Sequence, residues 1–449
     1  MAGDRGPYPG LGLLALPVLL LAGMAGVPEA VAAPSTTGEE PAARLRALLG
    51  DPEAAASGDL PARIAALGPA VLPSLFEEVW VLADDFRRGG TFEAALSAFR
   101  CFPVTEVRAF LLAVTADGSP PEATPRALRV LGTLGDAGGA AVIAELCARQ
   151  GPEALRSPAL RGLVVTTLAA AFAAMDGACA GAEEVFAGGS PEFRAAVLDA
   201  LERIGGPPAV EALLRIFVAD PRRGRDAIRR VVRMPVLGVE PEPAGLDRAL
   251  GSLAEDPDGR CRVLFAMAAA RLHRVRSFAM LLPLLEDESG EVVSAAENAL
   301  FAMSSVRLRG GAEVWEEWYR RETVWRDEEM REDLDRLGAG DPQAVIAALG
   351  RLSRRKLYRE GSGERIRARL SDDDPAVRSA AARAMARLGD PRGLDALLAA
   401  LGDADESVRS EAAAALAAVT RLPPQKELER WPVILAKAQS RLDETRRIR

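Results

Sequence analysis

The stretch "DPAVRSAAARAMARLGDPRGLDALLAALGDADESVRSEAAAALAAV", residues 374–419, decides the fold. Asp374 suits a helix N-cap, and Pro375 fits the first turn, where a missing N–H costs nothing. Apolar residues recur at Val377, Ala380, Ala381, Ala384, Met385 and Leu388, the spacing of one helical face. Gly389 tolerates the left-handed backbone that ends a helix. Asp390-Pro391 then opens a second helix carrying Leu394, Leu397, Leu398 and Leu401. Gly402-Asp403 stops it, and a third helix is predicted from about Glu406 to Val419. Val377-Arg378 returns as Val408-Arg409, a period of 31. Short antiparallel helix pairs at such a period predict an all-α solenoid.

A longer duplication encloses this one. Residues 256–315 align without gaps on 372–431, with 21 of 60 positions identical. Arg262/Arg378, Leu272/Leu388, Asp287/Asp403, Val292/Val408 and Trp315/Trp431 are among them. The Trp pair lies beyond the repeat helices, so each Trp is expected to lid the core of its module. Arg194, Arg262, Arg378 and Arg409 share one place near the start of a helix. They are expected to pair with the turn residues Asp287, Asp390 and Asp403 of a neighbouring unit.

These residues resemble HEAT-like repeats of the short bacterial type, the type also found in phycobilin lyases. The resemblance is strongest over 255–306 and 372–421. It implies stacked helix pairs and leaves the activity open, between a protein-binding scaffold and a lyase-like or small-molecule-handling repeat protein.

The N-terminal half repeats more loosely. Pro191–Ile204 followed by Gly205-Gly206-Pro207 repeats the helix, stop and restart described above. Residues 42–235 are expected to be divergent helical repeats and 246–436 the regular ones. The Pro-rich stretch 236–245 is expected to part them. Residues 33–41 are expected to be a disordered N-terminus and 437–449 a mixed-charge tail. Arg5, an apolar run from Leu11 to Val27 and Ala30-Val31-Ala32 have the layout of a signal peptide over 1–32. An exported, periplasmic or extracellular protein is therefore expected. No later stretch is long and apolar enough to predict a membrane span.

Composition narrows the chemistry. Hydrophobic residues make up 49% of the 449, charged residues 27% and aromatics only 5%. Closely packed Ala- and Leu-rich helices suit that balance. The formal net charge of −8 argues against nucleic-acid binding. His273 is the single histidine, so no His-rich metal centre is expected. It stands where the second module has Gly389, and is expected to be an exposed helix-end residue. Cys101, Cys147, Cys179 and Cys261 show no paired spacing, so no zinc site is expected and the four are expected to be buried free thiols. No phosphate loop, nucleophile elbow or calcium-loop spacing is present. Neither a catalytic residue nor a cofactor is expected.

Two kinds of residue remain as binding candidates. Arg229, Arg230 and Arg233 are expected to share a helix face within the basic run 222–233, relieved only by Asp226. A second basic cluster comprises Arg351, Arg354, Arg355, Lys356 and Arg359. Trp318 and Trp325 have no counterpart in the other module and are expected at the surface, where Trp favours partner contacts. The expected function is an exported, non-enzymatic scaffold for a protein or another acidic envelope partner.

Overall fold

The computed structural model describes residues 39–420, except 52, 55–57, 84–88, 117, 137, 175–178 and 235–242, and also describes Trp431. The stretches expected to be a signal peptide and a mixed-charge tail, and most of the Pro-rich stretch, lie outside the described residues. The first helix, Glu39–Gly50, begins inside the stretch expected to be disordered.

The described chain is helical, and no strand occurs in it. Two compact units are present, Met1–Ala95 and Leu96–Arg449. The boundary between them does not fall in the Pro-rich stretch expected to part the halves. Across that stretch Arg225 holds Asp256 at 2.5 Å, and Arg271 donates to the carbonyl of Met234. Residues before and after it therefore share one unit. In the smaller unit Leu45, Leu60, Ile64, Leu75 and Phe76 are fully buried, and Trp80 packs between Phe76 and Phe92 at 6.3 and 6.0 Å.

The larger unit is built of two layers. In one layer the helices Ala123–Leu134, Pro158–Ala173, Pro191–Ile204, Arg225–Arg233, Gly259–Leu272 and Gly290–Ser304 pack in succession. In the other layer Gly139–Gln150, Ala182–Gly188, Gly206–Ala219, Leu246–Ala254 and Val275–Leu281 pack in succession beside them. The same arrangement resumes with Pro342–Leu352, Pro375–Leu388 and Glu406–Thr420. Ala312–Glu328 and Met330–Arg336 are inserted between the two runs.

Local chemistry explains the helix limits. Asp374 and Asp258 accept the N–H of Ala376 and Arg260 at 2.7 and 2.9 Å, capping equivalent helices. Gly389 ends its helix at φ 61°, and His273 ends the equivalent helix at φ 54°. The left-handed region is open to glycine and strained for most other residues. His273 is held there by burial, as described below.

Candidate interaction surface

The repeat helices are tied by a ladder of arginines. Arg262 grips Asp287 with Nε at 2.7 Å and Nη2 at 2.9 Å. Arg378 grips Asp403 with the same two atoms at the same two distances. A bidentate pair of this kind fixes orientation as well as charge. The remaining nitrogen, Nη1, donates backwards to two carbonyls. Arg262 reaches Asp256 and Pro257 at 2.8 and 3.0 Å, and Arg378 reaches Asp372 and Asp373 at 2.8 and 3.1 Å. The arginine bonds hold the carboxyls of Asp287 and Asp403 below the usual carboxylate range.

The other expected rungs differ. Arg194 lies 5.8 Å from the ring centre of Phe186, in a cation–π contact. Asp390 turns to Arg392 of its own turn, 3.0 Å away, and also caps the N–H of Arg392. Arg409 makes the backward bonds, to Asp403 and Ala404 at 2.8 and 2.9 Å, and among the described residues no aspartate closes on its other edge.

The basic run divides by helix face. Ala227, Ile228 and Val231 bury one side of Arg225–Arg233. Arg230 is half-buried and tied to Asp199, and to Glu202 at 3.1 Å, on the preceding long helix. Arg161 approaches the same Asp199 from the helix before, at 2.5 Å. Arg230 is therefore an internal strut, which corrects the expectation of one shared face. Arg229 and Arg233 are exposed, with Arg229 2.7 Å from Asp226. Asp226 is not the sole relief for the run, because Asp199, Glu202, Asp220 and Asp256 also meet its arginines.

In the second basic cluster Arg354 is exposed, and the other four members reach neighbouring elements. Arg355 pairs with buried Glu322 and lies 4.9 Å from the Trp325 ring. Arg351 reaches buried Asp333 at 2.7 Å. Burial pushes the Glu322 carboxyl up, and Arg355 opposes that shift. Lys356 donates through Nζ to Ser305 at 3.1 Å. Arg359 donates to the Gly389 carbonyl at 3.4 Å. The buried acids Glu322 and Asp333 escaped sequence reading, because charged helix positions ordinarily face water.

The aromatic expectations divide as well. Trp315 is 3% exposed and Trp431 fully buried, as lids of the core should be. Trp318 is half-buried, with its ring 5.4 Å from Phe278 and 5.8 Å from Trp315. Trp325 is only 5% exposed and stacks on Tyr358 at 6.3 Å, which corrects its placement at the surface. The inserted helix packs Trp325 against a later segment of the chain, so this unmatched Trp is consumed by packing.

His273 is also corrected. It does end a helix, but it is 1% exposed, and Nε2–H donates to the Lys356 carbonyl at 2.9 Å. Burial, with the nearby Arg359 charge, pushes its pKa down to about 3. Cys147, Cys179 and Cys261 are buried free thiols, whereas Cys101 is exposed rather than buried. Burial raises Cys147 to about 12 and Cys179 to about 11. Among the described residues no cluster of His, Cys, Asp or Glu is placed to hold a metal ion. No described helix is long and apolar enough to cross a membrane.

Comparison with known proteins agrees with the repeat architecture in the C-terminal part. Residues 339–421 match the model for HEAT repeats. No curated protein matches the sequence. Among solved structures, an engineered protein aligns at 18% identity over 86% of this chain and 96% of its own, with a TM-score of 0.24. Kap121p aligns at 12% identity over 85% of this chain, with a TM-score of 0.32. Kap121p bound to Pho4p aligns at 12% identity over 86% of this chain, also with a TM-score of 0.32. The alignments cover 50% of each of these two Kap121p chains. At those scores the assignment rests on the HEAT-repeat match and on the chain's own capped, ladder-tied helix pairs. Residues 339–421 are therefore HEAT-like repeats, and the described chain has an all-α solenoid fold.

Proposed function

We propose that the protein is an exported, non-enzymatic scaffold whose repeat surface holds a protein or another acidic envelope partner. The observation that carries this is the mounting of Arg229 and Arg233. Both are exposed on a helix whose other side is buried and whose Arg230 is tied to Asp199 and Glu202. Guanidinium groups presented from an anchored helix bind carboxylates with little loss of backbone freedom. Trp318, half-buried beside Phe278, is a second candidate contact. Trp325 is withdrawn from the contact surface by its burial. Export rests on the signal-peptide layout of residues 1–32, and a partner other than nucleic acid on the acidic net charge.

Affinity capture from the native envelope fraction tests the proposal. Capture should fall as salt rises and fall again in the double variant Arg229→Ala/Arg233→Ala, with helicity unchanged. Capture indifferent to both would overturn the assignment of this face. Catalytic turnover by the purified protein would overturn the scaffold itself. A retained chromophore in native material would favour the lyase-like alternative. A native chain with an intact Met1 end, in place of one cleaved after Ala32, would overturn export.

A further inference from the structure

Arg409 occupies the place of Arg262 and Arg378 in its own helix. Its Nη1 makes the same backward bonds, at 2.8 and 2.9 Å, to the carbonyls six and five residues earlier. Those bonds set the plane of the guanidinium. In Arg262 and Arg378 the opposite edge, Nε with Nη2, closes on an aspartate at 2.7 and 2.9 Å. Arg409 is half-buried, and among the described residues no carboxylate forms an ion pair with it. Asp403 feels its charge but is gripped by Arg378. A guanidinium already oriented by two backbone bonds has lost its freedom before any anion arrives, which favours binding.

We propose that Arg409 is a docking point for an aspartate carried on the helix-opening turn of a partner protein, an assignment that rests on the scaffold function above. The chain itself shows the geometry. Asp287 and Asp403 each accept an arginine fork while Oδ1 caps the N–H two residues on, at 2.9 Å in both turns. A partner turn of that form meets Nε and Nη2 of Arg409 in the same bidentate way. A second copy of this chain is the poorer occupant. Its equivalent turn aspartates, Asp256, Asp287, Asp372 and Asp403, are already held by Arg225, Arg262, Arg369 and Arg378.

The test uses the full chain and a blocked peptide copying residues 401–412, which contains the turn of Asp403. The Nε–H resonance of Arg409 is identified by its loss in Arg409→Lys and followed by NMR. It should move and saturate with the peptide. A peptide carrying Asn in place of that Asp should bind about tenfold more weakly or worse, as should Arg409→Lys, which keeps the charge but not the fork. Equal binding of the two peptides, or an Arg409 resonance that neither moves, would overturn the proposal. So would a free-chain resonance that moves on Glu427→Gln or Glu429→Gln, because the chain would then fill the fork itself. If Arg409→Lys fails to fold, the paired peptides still decide the outcome. The Arg229/Arg233 capture experiment reads a different helix, so the scaffold function and this docking point fail separately.

Discussion

Replacing His273 by Asn should flatten the acid side of the stability curve. The folded-state pKa of His273 lies at about 3, below its ordinary value of 6.5, because the ring is buried and Arg359 is close. Between those values the unfolded chain binds a proton that the folded chain does not. Stability is then fully present above 6.5 and is lost as pH falls towards 3. Each pH unit well inside that window removes about 1.4 kcal/mol, and lowering pH from 7.5 to 5 removes about 2 kcal/mol. Asn tolerates the left-handed backbone of residue 273 and carries no titrating group in this range. The assay is urea denaturation of both proteins at pH 7.5 and pH 5. The variant is expected to start less stable, having lost the bond to the Lys356 carbonyl, and to lose about 2 kcal/mol less than the parent on acidification. The remaining titrating groups contribute equally to both proteins and cancel. Parallel losses in the two would refute the assignment of His273 as a buried neutral group.

Trp431→Ala should lower stability by about 3–5 kcal/mol, read from the denaturation midpoint, because the side chain is fully buried. An unchanged midpoint would refute its role as a lid. Arg230→Ala should destabilise measurably, since it removes the half-buried ion pairs to Asp199 and Glu202, whereas Arg229→Ala and Arg233→Ala should each stay within about 0.5 kcal/mol. Equal effects would mean that the three do share a face. An aromatic disulfide reagent should titrate Cys101 quickly in the native protein and all four thiols only in denaturant, because the other three are buried. Rapid native labelling of Cys147 would contradict its burial.

The regular repeats were legible because their signals are local. Asp374, Pro375 and Gly389 act on backbone within a turn of themselves, and the apolar stripe between them is contiguous. The rung from Arg378 to Asp403 spans 25 residues, and its recurrence in the first module made it visible. The inserted helices lacked such a duplicate. Glu322, Asp333 and Trp325 are buried by partners 33, 18 and 33 residues away, supplied by a segment with no repeat to compare. His273 depends on a carbonyl 83 residues later, beyond any periodicity. The candidate surface divided accordingly. Arg229 and Arg233 stayed exposed, while Arg230 was claimed by acids from the preceding long helix.

The ladder's short span has a genetic consequence. Excising residues 375–405, a block of 31, would join Asp374 directly to Glu406. Asp374 would then stand four residues before Arg409, as Asp405 does now, and would inherit the helix cap. The carbonyls of Asp372 and Asp373 would replace those of Asp403 and Ala404 beneath Nη1 of Arg409. The new junction would thus recreate the cap and the backward bonds of the old ones. Unequal recombination in whole units can therefore shorten or lengthen such a chain without passing through a misfolded intermediate, whereas a deletion of a few residues would put cap and arginine out of step.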